Sequence, residues 1–255
     1  MSAVLLAQAV HKSFGAVAAA ADLNVAIERD SVVGLIGANG AGKTTFINMV
    51  TGYLRPGSGS IRFEDHDLTR LTPRRITQLG VSRSFQIPQL FGTLSARENL
   101  LIAVGIVAAA AQRWAHSPLT PERAGAATDE VLERFGLAAY RDRPAGVLPE
   151  GIRKLLDVAM AIVVKPRILL LDEPTSGVSA DEKFSIMELV MGAVHGTGVT
   201  VLFVEHDMDI VERYAARVLA FAAGRIIADG SPGKVLSDPE VRQHVIGEEL
   251  SHAAR

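Results

Sequence analysis

The sequence predicts an α/β fold built on a parallel sheet. Two observations carry this: continuous aliphatic runs of strand length, and a segment of helical period set between two of them. The runs are residues 31–36, 168–171 and 200–204. Between the last two, Phe184, Met187, Val190 and Val194 recur at helical spacing within residues 181–194, which reads as a strand–helix–strand unit.

The other elements follow in chain order. Residues 4–10 and 24–27 alternate in character and read as strands. The glycine-punctuated stretch after residue 36 opens a helix expected over residues 43–50. Residues 53–60, with Pro56, Gly57 and Gly59, read as a loop before a short strand at 61–63. Residues 94–164 are rich in alanine and leucine and poor in strand formers, so they read as a helical subdomain inserted into the α/β core. Within it, Thr120-Pro121-Glu122 is a helix start, with a capping hydroxyl, proline in the first turn and then an acid. That helix is expected to run to Phe135 and stop at Gly136, and another to begin near Glu150 and end before Lys165-Pro166. The expected division is a core of residues 1–93 and 165–255 around a helical subdomain of 94–164.

Composition narrows the function. The 255 residues are 48% hydrophobic, enough for a large core, and carry a net charge of −2 with no basic tract of the kind that wraps nucleic acid. There is no cysteine, which excludes disulfides, thiolate zinc sites and a cysteine nucleophile. The N-terminal residues carry no secretory pattern, and the most apolar later stretch, 100–111, is about half the length of a membrane-spanning helix. Work at a membrane would therefore be done from its surface, through a partner.

Gly37-Ala38-Asn39-Gly40-Ala41-Gly42-Lys43-Thr44-Thr45 fits the pattern G-x-x-x-x-G-K-[ST], directly after a strand and before a helix. Glycines let backbone N–H groups converge on phosphate oxygens, and the helix adds its positive N-terminal end. Lys43 suits the β- and γ-phosphates, and the Thr44 hydroxyl suits Mg²⁺. The expected ligands are thus a nucleoside triphosphate, which the resemblance given below makes ATP, and Mg²⁺. Residues 168–171 end in Asp172 and Glu173. Neighbours on a strand point in different directions. Asp172 is expected to face the Mg²⁺ shell through water, and Glu173 to polarise the attacking water.

This ordered set resembles the ATP-binding subunits of ABC transporters, from Val4 to about Ile246. The resemblance implies a P-loop NTPase (RecA-like) core with an N-terminal antiparallel β-subdomain and an inserted helical subdomain carrying a signature motif. It also implies roles for residues that alone would read as ordinary core or solvated positions. Phe14 becomes an adenine-stacking aromatic, and Gln86 in Ser84-Phe85-Gln86-Ile87 becomes a sensor of the Mg²⁺ or water shell and of the membrane partner. Residues 176–181 become the D-loop, and His206 in Val204-Glu205-His206-Asp207 becomes a contact to the γ-phosphate. Within the family, Ser84-Phe85-Gln86, residues 94–100, residues 204–208 and the tail from Gly224 to Ile246 look most like the branched-chain amino acid importer type. Relatives of that type also serve urea, amides or aromatic acids. The implied setting is the cytoplasmic face of the cell membrane. The implied partners are a second ATPase subunit, two permease subunits and a periplasmic or extracellular solute-binding protein, with no nucleic acid.

The signature position departs from the family pattern Leu-Ser-Gly-Gly-Gln. Here it reads Leu148-Pro149-Glu150-Gly151-Ile152, and Met160 stands where an arginine often ends the signature helix. Pro149 offers neither hydroxyl nor N–H, and Glu150 adds a negative charge. The expectation is a heterodimer in which the site built with this signature is the weaker one. The apolar residues Ile87, Pro88, Leu90 and Phe91 are expected to help receive a membrane-subunit helix. Rival readings are a P-loop kinase, a non-transport ABC ATPase acting as an ATP-gated switch, and a nucleotide-binding module without turnover. Asp172-Glu173 followed by His206 favours water as the phosphate acceptor over a kinase acceptor.

Overall fold

In a computed structural model of the chain, residues 3–84, 88–111 and 120–247 are described. In order, the elements are β1 (Ala3–Phe14), β2 (Val17–Glu28), β3 (Val32–Gly37), α1 (Lys43–Val50), β4 (Ser58–Phe63), β5 (His66–Asp67), α2 (Pro73–Leu79) and β6 (Val81–Ser84). They continue with α3 (Ala96–Ala111), α4 (Pro121–Arg134), α5 (Glu150–Val163), β7 (Ile168–Asp172), α6 (Ala180–Val194) and β8 (Thr200–Val204). Then come α7 (Met208–Tyr214), β9 (Arg217–Ala222), β10 (Arg225–Gly230) and α8 (Pro232–Ser237), followed by the short α9 (Pro239–Val241) and a π-helical turn (Arg242–Ile246). The chain divides into two compact units, residues 1–79 with 200–255, and residues 80–199.

The first unit holds two sheets. One is antiparallel, in the order β2-β1-β4-β5. In the other, β3 lies between β8 and β9 and is parallel to both, and β10 adds an antiparallel edge beside β9. The α/β class, the parallel sheet and the N-terminal antiparallel sheet are all present. Side chains of β3 and β8 are buried on both faces, which explains their unbroken aliphatic runs. The sheets are pinned together by Arg217. Its guanidinium grips both oxygens of Asp229 at 2.6 Å and donates to the Ala26 carbonyl at 2.7 Å.

Three strands extend well beyond their sequence-based limits. β1 and β2 pair along 12 residues each, through several register shifts. β4 starts at Ser58 rather than after Ser60, because Gly59 is a point of close approach and not a turn tip. A Cβ there would stand 2.2 Å from the Ala9 carbonyl oxygen, at a bulge where Ala9 itself has φ 46°.

The second unit pairs β6 with β7 in parallel; α5 lies against both strands, α3 and α6 pack on α5, and α4 packs on α3. α4 begins as expected: Thr120 accepts from the Arg123 N–H, Pro121 opens the first turn, and Gly136 follows the end at φ 64°. α6 starts in a capping box, in which Ser179 and Glu182 satisfy each other's end groups. Among its expected core residues, Met187, Val190 and Val194 are buried, while Phe184 is half-buried. Among the described residues no helix is long and apolar enough to cross a membrane.

Candidate active site

The phosphate-loop candidate leaves the buried strand β3 at Gly37 and enters α1 at Lys43. Its glycines have different reasons to be there. At Gly37 a side chain would stand 2.5 Å from the Phe221 carbonyl oxygen. Gly42 caps α1 in the left-handed region at φ 111°, and a Cβ there would stand 2.6 Å from the Ala19 carbonyl oxygen. Gly40 has open space around it but sits at φ 80°, where only glycine is unstrained.

The loop is also held from outside. Gly224, in the turn between β9 and β10, donates its N–H to the Ala41 carbonyl at 2.9 Å and accepts from the Ala21 N–H at 2.8 Å. The Lys43 stem is buried, and its ammonium turns back to donate to the carbonyls of Gly37 at 2.5 Å and Ala38 at 3.1 Å. Thr44 is exposed at the start of α1, where the first amides of a helix have no acceptor within the helix. Ala38, Asn39 and Gly40 are exposed, and Thr45 is half-buried. A glycine-rich turn feeding the N-terminal amides of a helix supplies the donors that a polyphosphate needs.

Two more candidates stand in the same unit. Leu35 of β3 is level with Val204 of β8, so Gly37 and His206 lie at the same carboxyl end of neighbouring parallel strands. Ligands of open α/β sheets bind at that end. His206 is exposed, and its N–H donates to the buried Glu205 carboxylate at 3.2 Å. Phe14 lies opposite Val17 at the tip of the β1–β2 hairpin, 53% exposed, with the Lys12 ammonium 5.6 Å from its ring centre. An exposed ring at a hairpin tip is free to stack on a flat base.

The second unit carries the acids. Asp172 ends the fully buried strand β7 and is itself only 3% exposed. Arg83 of β6 donates to Asp172 Oδ2 at 2.5 Å, a partner that sequence reading missed. Glu173, the next residue, is half-buried and has φ 51°, an uncommon conformation for any side-chain-bearing residue and a further departure for one preceding proline. Lys154 of α5, 3% exposed, donates to the Glu173 carbonyl at 3.0 Å and to Ser176 Oγ at 2.6 Å.

The start of α5 packs on the same turn. Leu148 is buried, while Pro149 caps α5 without a side-chain hydrogen bond. The Glu150 carboxylate lies against Gly177, close enough that a Cβ on that glycine would stand 2.8 Å from it. A Cβ on Gly151 would touch Val178 at 3.3 Å. Gln86 and Ile87 fall outside the described residues.

The ABC transporter family profile matches residues 20–176. The chain belongs to the ABC transporter family. It is 35% identical over 249 residues to a probable branched-chain amino acid transport ATP-binding protein, LivG, of Archaeoglobus fulgidus, covering 96% of this chain and 95% of that protein. It is 34% identical over 245 residues to the high-affinity branched-chain amino acid transport ATP-binding protein LivG of Escherichia coli K12, covering 92% and 94% of the two chains. Among solved structures it resembles the ADP conformation of an ATP-binding cassette of an ABC transporter. There the TM-score is 0.81 with 31% identity, covering 94% of this chain and 97% of that one. The protein is therefore a nucleotide-binding ABC ATPase that energises transport.

In this ABC cassette the Thr44 hydroxyl of the first unit and the Asp172 carboxylate of the second are each hard oxygen donors. Among the described residues no group of three His, Cys, Asp or Glu side chains gathers to hold an ion. Hard oxygen donors in small number, completed by water and phosphate, fit Mg²⁺ and do not fit a transition metal.

Proposed function

We propose that this ATPase drives an importer of branched-chain or related amino acids, small amides or organic acids, from the cytoplasmic face of the membrane. It works with a second, different ATPase subunit, two permease subunits and an external solute-binding protein. The observation that carries the reading is the fixed phosphate loop, with Gly37 and Gly42 each pressed on backbone carbonyl oxygens in a shape that only glycine allows. The substrate class rests on the names of the relatives.

In this reading Lys43, Thr44, Thr45 and the amides of residues 37–42 hold the triphosphate, and Phe14 stacks on the adenine. Thr44, Asp172 and Gln86 hold Mg²⁺, directly or through water. Bound there, the ion offsets charge on the β- and γ-phosphates. Glu173 orients the attacking water, Gln86 links that shell to the membrane partner, and His206 faces the γ-phosphate. Positioning and charge neutralisation supply most of the acceleration. Residues 94–164 act as the signature subdomain. Leu148, Pro149, Glu150 and Gly151 complete a weaker site on the partner subunit, and the Glu150 carboxylate resting on Gly177 supports that asymmetry.

The test is reconstitution in vesicles with the cognate permease and binding proteins, following uptake of radiolabelled leucine. ATP-dependent accumulation is expected with the native chain, and none with Glu173→Gln, which still binds ATP. Hydrolysis with no accumulation of leucine, amides or organic acids would leave the ATP-gated switch as the better account.

A further inference from the structure

Lys154 is the one buried lysine outside the phosphate loop among the described residues. Burying an ammonium is costly unless its hydrogen bonds are made. Here the side chain spans from α5 to the turn after β7 and takes two acceptors three residues apart, the Glu173 carbonyl and Ser176 Oγ. Glu173 has a left-handed backbone, which is unfavourable for a residue with a Cβ. Such a conformation persists only where its surroundings hold it. Glu150 lies one helical turn before Lys154, so both face the same turn, and Glu150 closes it at Gly177.

We propose that Lys154 is the positioning residue for Glu173. By fixing the Glu173 carbonyl, the ammonium sets the backbone from which the carboxylate reaches water, and through Ser176 it fixes the far side of the same turn. Lys154 itself touches neither nucleotide nor water in the reaction. The proposal rests on Glu173 as the water-orienting group, and the experiment separates the two.

Full-length Lys154→Gln, Lys154→Arg, Ser176→Ala and Glu173→Gln are assembled with the cognate transporter subunits. Each is measured for kcat, for KM, and for the Kd of a fluorescent ATP analogue. Misplacement of a reacting group by about 1 Å is worth about 10²-fold in rate. Lys154→Gln should lose kcat on that scale with KM and Kd unchanged, and Lys154→Arg should recover much of it. Ser176→Ala keeps one of the two bonds and should fall between, which decides the matter if Lys154→Gln does not assemble. Wild-type kcat in Lys154→Gln or, failing its assembly, in Ser176→Ala overturns the proposal. So does equal loss of kcat and analogue binding. If Glu173→Gln still hydrolyses ATP, the role given to Glu173 fails instead.

Discussion

Arg83→Met isolates the electrostatics beneath the acidic turn. Asp172 and Arg83 side chains are 3% and 9% exposed, and they meet at 2.5 Å. Removing the guanidinium strands a carboxylate out of water, which costs about 3–5 kcal/mol in buried pairs. At about 2–4 °C per kcal/mol for a chain of this size, the melting temperature should fall by about 6–20 °C. Replacing both charges, in Arg83→Met with Asp172→Asn, should return most of the loss, because neither product needs a counter-ion. The measurement is urea and thermal unfolding by circular dichroism, without nucleotide or metal, as a double-mutant cycle. Coupling of at least about 2 kcal/mol is expected for residues in contact. A single-variant cost under about 1 kcal/mol, or purely additive effects, would mean that water already carries this charge and would refute the reasoning.

Two further outcomes follow from the geometry. Gly42→Ala should bind nucleotide more weakly and be less stable than Gly40→Ala, as read by calorimetric titration and melting. Gly40→Ala meets only backbone strain of roughly 1–2 kcal/mol, whereas Gly42→Ala adds a 2.6 Å clash with a carbonyl oxygen. Asp129, in α4, is held below its ordinary value of 3.8 chiefly by its hydrogen bond with Arg97 of α3. A carboxyl depressed on folding contributes stability above its unfolded value and loses it as pH falls through the folded one. Protection of the α3 and α4 amides in hydrogen exchange should therefore weaken as pH drops below 3.8, and Asp129→Asn should reduce that pH dependence, leaving the share that Glu98 and Glu122 carry.

Much of the site was legible because its chemistry is contiguous. The nine residues from Gly37 to Thr45 state their own mechanism, and Asp172-Glu173 stands at the end of an unmistakable strand. What escaped sequence reading depends on partners far along the chain. Arg83 reads as an ordinary residue of a short strand until β6 is laid beside β7 and places it at Asp172. Lys154 reads as one more basic residue at a helix start until α5 is set against the turn after β7. Gly59 misled because glycine serves both turns and close backbone contacts, and only the pairing partner distinguishes them. Sequence reading missed β10, whose exposed positions at the sheet edge break its apolar run, and β9, whose buried run over residues 218–221 is short and ends at half-buried residues.

The bond from Gly224 to Ala41 joins positions far apart in order of synthesis. A ribosome finishes the nucleotide-binding motif early, yet the strap that braces it arrives only when most of the chain has been made. Nascent fragments stopping short of Gly224 should thus grip nucleotide poorly even though every residue of the motif is present. Competence to use fuel would then be gained late in translation, when a nearly complete subunit is ready to dock.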